Sequence, residues 1–386
     1  MQTVGIICEY NPLHLGHKKQ LDAIRARYGA DCAIVCVMSG HFVQRGYPAI
    51  MDKMLRAKAA VESGADLVLE LPVTAALSSA EGFAAGGVEI LSKLCDVLCF
   101  GAETADAAAL IDTAKALLQP AFSPALRRHL DTGLSFPAAR QAALWEMGLD
   151  GSILQSPNNI LAVEYCKAIL TQGSGMEIFP IARRGSYHDL KADDAEPSAT
   201  AVRSLMEAGQ SWQQYVPAQA RDIFAGADMH TLHHGEKAML YRLRTMKDGE
   251  FEALPYGSEG LWRKFMHACR SQATLEGILT ATKSKRYTRT RLDRMAMCAF
   301  LGLTAADLAA PLPYSRVLAF NDRGRKVLNR VKDTGFFPNI GENTGHPYQA
   351  IEHRCGELYG LFAPKPTAPG REKAYRVCYF CPQDAK

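Results

Sequence analysis

Val4-Gly5-Ile6-Ile7-Cys8-Glu9-Tyr10-Asn11-Pro12-Leu13-His14-Leu15-Gly16-His17 is an apolar run that ends in a proline-containing turn, and the turn ends in His-x-Gly-His. The run reads as a buried strand that delivers the turn to a sheet edge. Gly16 carries no side chain, so backbone N–H groups can approach an anion closely there. Lys18, Lys19 and the residues after them read as the first turn of a helix, whose positive end favours negative charge. Two imidazoles three residues apart can donate hydrogen bonds to the oxygens of a pentavalent phosphorus as charge develops on them. The chemistry implied is attack at the α-phosphate of a nucleoside triphosphate with loss of pyrophosphate. Two blander readings stand beside it. One is a zinc site, for which no third ligand of suitable type follows at close spacing. The other is a pair of structural histidines in a turn.

Working outward, the first half of the chain alternates in the α/β manner. Strands are expected at 4–8, 32–38, 67–71, 97–100 and 177–181. Helices are expected at 17–28, 52–63, 84–94, 105–118, within 120–150, and at 159–170. Early strands recur about every 30 residues, the period of βα units, so the expected fold is a doubly wound parallel sheet. In such a sheet the ligand lies beyond the C-terminal strand ends. His14, Ser39-Gly40, Pro72 and Gly101 all fall at those ends and are expected to share one composite site. Beyond about residue 205 helix-like segments dominate: 235–246, 257–272, 274–282, 290–301 and 323–331. We expect an N-terminal catalytic domain over 1–205 and a mainly helical domain over 206–386, with an extended tail after Pro364.

Composition is that of an ordinary globular protein, with 48% hydrophobic and 22% charged residues among 386. No apolar run is long enough for a membrane-spanning helix, and no signal peptide is expected. The eleven cysteines are scattered and odd in number, which reads as a reducing cytoplasm. Cys378-Tyr379-Phe380-Cys381 is a single CxxC, weak as a zinc signal. Net charge is only +4, but it is concentrated. The segment 283–294 holds six basic residues (Lys283, Lys285, Arg286, Arg289, Arg291 and Arg294) against one acidic residue, with Tyr287 interleaved. Such a composition suits RNA phosphates plus a stacking side chain; a solvated helix end is the alternative.

Other candidates have paired readings. Gly101 permits close backbone approach to a nucleoside, or simply ends a strand. Asn158 reads as a ribose or base contact, or as a helix N-cap in Pro-Asn-Asn. Arg183 and Arg184 could neutralise triphosphate charge, or lie in a solvated loop. Ser39, Gly40, His41, Gln44 and Arg45 form a polar loop expected to face the acyl group or the target base.

The HxGH segment resembles the motif of the nucleotidylyltransferase superfamily. The longer string GIICEYNPLHLGH is similar to the bacterial tRNA(Met) cytidine acetate ligases. Further blocks carry the likeness: 37–46 (VMSGHFVQRG), 66–72 (DLVLELP), 100–103 (FGAE), 157–161 (PNNIL) and 285–292 (KRYTRTRL). The resemblance implies ATP contacts from Ile7, Cys8, Glu9, Tyr10, Asn11, Pro12, Leu13, His14, Leu15, Gly16, His17, Lys18, Lys19 and Gln20. It adds Gly101, Asn158, Arg183 and Arg184. Ser198, Thr200 and Arg203 lie in a segment similar to the superfamily's SSTxIR element, with Ala199 replacing the second serine; a plain capping box is the alternative. The implied activity joins acetate to the wobble cytidine of elongator tRNA(Met) through acetyl-adenylate, with ATP as substrate, magnesium accompanying it, and His14 and His17 catalytic. A nucleotidylyltransferase acting on a small molecule, or a tRNA-binding protein that only senses nucleotide, remain alternatives.

Overall fold

In the computed structural model, residues 1–183 and 198–381 are described. The chain enters through β1 (Thr3–Cys8), α1 (Leu15–Tyr28) and β2 (Ala33–Ser39). A small hairpin, β3 (Phe42–Val43) and β4 (Tyr47–Pro48), leads into α2 (Lys53–Glu62). Then come β5 (Leu67–Leu71), α3 (Val73–Ala76), α4 (Ala80–Leu91), β6 (Val97–Ala102), α5 (Ala107–Leu118), α6 (Phe122–Asp131), α7 (Phe136–Glu146), α8 (Pro157–Gln172) and β7 (Glu177–Ala182). All five expected strands are present.

The sheet runs β7-β6-β1-β2-β5 with every pair parallel. Continuous apolar runs form these strands because both faces are covered. In β2 the side chains of Ala33, Val35 and Val37 enter one core, and those of Ile34, Cys36 and Met38 enter the other. Helices α4, α5 and α8 cover the first face, while α1 and α2 cover the second. Strand order reverses at β1, which lies between β2 and β6. A crevice therefore opens beyond the C-terminal ends of β1 and β6. The HxGH turn follows β1, and Gly101 lies near the end of β6.

After α9 (Ala199–Glu207) the chain is largely helical: α10 (Ala218–Ala225), α11 (Leu232–Thr245), α12 (Asp248–Glu252), α13 (Leu261–Ser271), α14 (Leu275–Thr282), α15 (Arg289–Leu301) and α16 (Ala305–Ala309). Of these, α11 to α16 build a third apolar core, which Phe42 and Leu77 from the first half enter, while α10 joins the second core through Ala220 and Phe224.

Two expectations are corrected here. The sheet is not wholly parallel: β8 (Val317–Asn321) pairs antiparallel with β5, and β9 (Cys378–Phe380) pairs with β8. Between these strands lie α17 (Asp322–Leu328), α18 (Tyr348–Tyr359) and α19 (Arg371–Ala374). The tail is thus not simply extended but returns to the sheet. A four-residue apolar run such as Val317 to Phe320 has no helix-or-strand signature of its own. Its pairing comes from β5, where the Glu70 N–H donates to the Arg316 carbonyl at 2.8 Å.

The tail is held by buried charge. Lys53 Nζ lies 2.8 Å from Glu70 Oε1 and 2.7 Å from Glu372 Oε1. Arg316 reaches Glu70 at 2.7 Å, Glu372 at 2.9 Å and Glu352 at 3.2 Å. Beside this cluster His41, Tyr359 and His230 stack, with ring centroids 4.2 and 4.0 Å apart.

His230 is buried, its Nδ1 is 3.2 Å from the Asp228 carbonyl, and its Nε2 has no partner among the described residues. Burial, aided by nearby His41, lowers its pKa from 6.5 to about 4. Its folded pKa therefore lies below the unfolded one, so its stabilising effect is complete above about pH 6.5 and drains away as pH falls toward 4. We expect the melting temperature to decline over that window, and His230→Asn to flatten part of the decline. Equal slopes for the two proteins would refute this.

Candidate active site

His14 sits at the N-cap of α1 with extended backbone, and its Nδ1 accepts from the Gly16 N–H at 3.1 Å. His17 Nδ1 in turn accepts from the His14 N–H at 3.3 Å. The pair is a capping box made of two imidazoles, stacked with ring centroids 3.8 Å apart. An Nδ1 that accepts a hydrogen bond fixes the neutral tautomer with hydrogen on Nε2. Electrostatics agree. Burial and the charges of Arg183 and Arg203 lower His14 to about 3. Burial, His14 and Arg183 push His17 well down. Both rings are thus neutral Nε2–H donors on the crevice wall.

The turn is held from outside itself. Tyr10 has φ of 42°, unusual for a residue with a side chain. Its ring is buried edge-on to His17 at 4.9 Å, which locks that backbone. Asn11-Pro12 is a cis bond. Asn11 Oδ1 accepts from the Ile50 N–H at 2.7 Å, and the Asn11 carbonyl accepts from Arg203 at 2.6 Å. Arg203 also donates to Thr200 at 3.1 Å, tying the start of α9 to the turn. Ser198 caps α9 by accepting from the Ala201 N–H at 3.0 Å.

The crevice encloses about 240 Å³. One wall is Ile7, Cys8, Glu9, Tyr10, Asn11, His14, His17 and Gln20; another is Ser198, Ala199, Thr200 and Arg203. Gly101, Asn158 and Arg183 close the far side, while Phe83, Phe100, Leu161 and Tyr165 make an apolar floor. Asn158 does not cap α8. Its amide donates to Glu103 at 2.7 Å, and its carbonyl oxygen accepts from Arg183 at 3.3 Å. The crevice thus joins two neutral donors to three guanidiniums, those of Arg45, Arg183 and Arg203, an arrangement built for a polyphosphate.

Other expected contacts lie elsewhere. Leu13 is fully buried in the second core, and Lys18 pairs with Asp22. Pro12, Leu15, Gly16 and Lys19 do not line the crevice. Arg184 lies outside the described residues.

The composite site is also corrected. Of the loop after β2, Gln44 and Arg45 line the crevice, while Ser39, Gly40 and His41 do not. Ser39 is buried beneath Glu9, Gly40 packs on Glu70, and His41 turns to Glu372 and Tyr359. Pro72 is likewise absent from the crevice wall. The loop divides because Arg56, wholly buried, donates to the Ser39 carbonyl at 3.0 Å and to that of Glu9 at 2.7 Å, stitching the two strand ends together.

The basic segment is more tied down than its composition suggests. Arg289 is clamped by Glu276 at 2.7 Å and Asp293 at 2.8 Å. Arg291 donates to the Tyr256 carbonyl at 2.7 Å and lies over the Tyr287 ring. Arg294 is buried over Tyr256, its guanidinium 3.5 Å from the Gln44 carbonyl. Lys283, Lys285 and Arg286 are exposed, Arg286 pairing with Glu259. One end of this segment therefore braces the loop that walls the crevice.

Sequence reasoning missed Phe83, Phe100, Leu161 and Tyr165 as lining, because apolar residues in a buried strand or at helical spacing carry no mark of a crevice. It also missed the buried cluster, although Glu70, a lone charge in an otherwise apolar strand, was a signal of it.

A strand ending in HxGH at the switch point of a parallel sheet, faced by three arginines, defines a nucleotidyltransferase of the HIGH class. Residues 1–373 match the model of the HIGH Nucleotidyl Transferase family. The chain belongs, more narrowly, to the tRNA(Met) cytidine acetate ligase family. It is 36% identical over 377 residues to the tRNA(Met) cytidine acetate ligase of Clostridium acetobutylicum, covering 91% of this chain and 92% of that one. It is 34% identical to that of Anoxybacillus flavithermus over 95% of this chain and 96% of the relative. The crystal structure of apo TmcAL from Thermotoga maritima superposes with a TM-score of 0.90 at 28% identity, covering 99% of this chain and all of that one. The same protein bound with α-thio ATP gives a TM-score of 0.86.

A methyl group at Gly101 would lie 2.6 Å from Arg183 Cδ. Gly101→Ala is therefore expected to push the Arg183 side chain aside and weaken ATP binding by about tenfold, the loss of one charge-assisted contact of roughly 1.5 kcal/mol. Calorimetric titration with ATP checks this; unaltered affinity would remove Arg183 from the binding site.

Proposed function

We propose that this chain is an ATP-dependent ligase. It activates acetate as acetyl-adenylate and passes the acetyl group to the exocyclic amine of the wobble cytidine of elongator tRNA(Met), giving N-acetylcytidine, AMP and pyrophosphate. The observation that carries this reading is the pair of neutral Nε2–H donors at the switch-point crevice, in a chain of this family. Acetate oxygen attacks the α-phosphorus, and His14 and His17 donate to the oxygens on which charge accumulates. Arg183 and Arg203 offset the triphosphate charge, and Ser198 and Thr200 lie at the helix start that faces it. Magnesium, on this reading, is carried by the phosphates. Glu9 is the sole carboxylate among the described lining residues, and no group of three ligating side chains is present among the described residues.

We assign tRNA to the helical region from about residue 206, through Lys283, Lys285, Arg286 and Tyr287 first. Arg289, Arg291 and Arg294 hold that segment in place. The Arg294–Gln44 contact supports a route from bound RNA to the crevice. The wobble cytidine leaves its stack to reach the acetyl group. A cytoplasmic location fits a tRNA substrate and eleven free thiols, and among the described residues no helix is long and apolar enough to cross a membrane.

The test is pyrophosphate release from ATP and acetate, with and without tRNA(Met), followed by nucleoside analysis of the tRNA. Release together with acetylcytidine is expected. Pyrophosphate without base modification would point to a small-molecule acceptor. Silence in both despite tRNA binding would leave a binding protein.

A further inference from the structure

We propose that Glu9 is the general base of the acetyl-transfer step, accepting the proton that the cytidine amine loses as it attacks the acetyl carbonyl. This inference rests on the ligase reading above and adds a chemical role to a residue so far taken only as a nucleotide contact. It begins with a lack. The amine lone pair of cytidine is delocalised into the ring, so its attack gives an acidic N–H that must be relieved. Neither histidine can do this, because each Nδ1 lone pair is already accepting a backbone N–H and each Nε2 carries hydrogen. Arg45, Arg183 and Arg203 have no lone pair to offer. Burial pushes the Cys8 thiol and the Tyr165 phenol well up, so both stay protonated. Among the described side chains of the crevice, Glu9 alone offers a basic oxygen.

Its placement suits the task. Glu9 follows β1 directly and shares the wall with His14 and His17. Its Oε1 accepts from the Gln44 N–H at 2.7 Å and from Ser39 Oγ at 3.4 Å, which fixes the carboxylate plane. Both of these hydrogen bonds fall on Oε1. Burial raises the pKa of Glu9, while Gln44 and the charges of Arg203 on α9, Arg56 on α2 and Arg45 on the loop oppose the rise. Tyr165 on α8 also faces it, uncharged.

In the step itself the amine nitrogen bonds to the acetyl carbon and the carbonyl electrons move to oxygen. One N–H proton passes to Glu9. The tetrahedral intermediate then collapses, the bond from acetyl carbon to phosphate oxygen breaks, and AMP leaves with that electron pair. Glu9 returns its proton to solvent.

The test separates the two half-reactions in the full chain. Acetate-dependent ATP–pyrophosphate exchange reads adenylation. Single-turnover transfer from preformed acetyl-adenylate to tRNA(Met) reads the second step across pH. Glu9→Gln keeps an oxygen for the Gln44 N–H but cannot take a proton. The expected result is a fall in transfer of about 10²–10³-fold with adenylation lowered less than tenfold. The acid limb of the transfer profile should vanish, and Glu9→Asp should recover part of the rate. Unchanged transfer, or equal loss in both steps with the acid limb intact, would overturn the role. A wild-type chain that exchanges pyrophosphate yet never acetylates tRNA would remove the ligase reading, and this role with it.

Discussion

His17→Ala is expected to lower acetate-dependent pyrophosphate release by about 10²–10³-fold while the chain stays folded, the cost of removing one preorganised donor from a charged transition state. The size follows from the state of the ring. It is partly buried, neutral and already oriented by the His14 N–H, so little reorganisation is needed when charge appears on phosphorus. In water the same donor would contribute far less. His14 needs a different variant, because its Nδ1 also caps α1. His14→Asn retains a capping oxygen, with stability expected to change by no more than about 1 kcal/mol, and should show a rate loss of the same order. The double variant should lose less than the product of the two, because stacked rings 3.8 Å apart act as one unit. Rates are read as ATP–pyrophosphate exchange and folding as the thermal transition. Turnover within tenfold of wild type for His17→Ala would remove this residue from catalysis. A rate loss matched by a collapsed thermal transition would make its role structural.

Glu372→Ala should destabilise the protein by about 3–5 kcal/mol, although Glu372 is far from the crevice chemistry. Its side chain is 1% exposed and bridges Lys53 on α2 to Arg316 beside β8. Around those two cations stand three carboxylates, Glu70, Glu352 and Glu372. Burial raises Glu352 to about 7, whereas Lys53 and Arg316 hold Glu372 well below its usual value. Removing Glu372 leaves Lys53 with Glu70 alone and Arg316 with Glu70 and Glu352, so two buried cations each lose a charged partner, which costs more than the pair itself was worth. An exposed pair such as Arg286–Glu259, with both side chains more than half exposed, should change stability by no more than about 1 kcal/mol when cut. Urea denaturation of both variants supplies the comparison. A Glu372→Ala midpoint close to wild type would show that the tail is not fastened by charge. A second effect should accompany the first: His41, 3.2 Å from Glu372, stands at the base of the loop that carries Gln44 and Arg45.

Much of the site was legible in the sequence because its parts are local. A continuous apolar strand, a proline turn, a glycine and two histidines three residues apart specify a strand–turn–helix unit whatever lies around it. Gly101, Asn158, Arg183, Ser198, Thr200 and Arg203 do meet at the crevice. His41 was misread because a loop residue has no periodicity to say which way it faces; Tyr359 and Glu372, over 300 residues away, decide that. The basic segment was read by its charge density, yet density does not distinguish Lys285 in solvent from Arg294 under Tyr256. Partners do, and they come from other helices.

By itself, then, the sequence determined the βα rhythm, the parallel core of the sheet and the phosphate-facing turn, since each follows from short-range periodicity and backbone preference. Tertiary structure alone decided three things. It added the antiparallel β8 and the returning tail, because pairing across some 250 residues leaves no local signal. It set both histidines as neutral Nε2–H donors, because a tautomer depends on which backbone N–H each ring meets. And it left Glu9, among the described residues, as the one carboxylate in the crevice, its basicity set by burial and by the guanidiniums that the fold gathers around it.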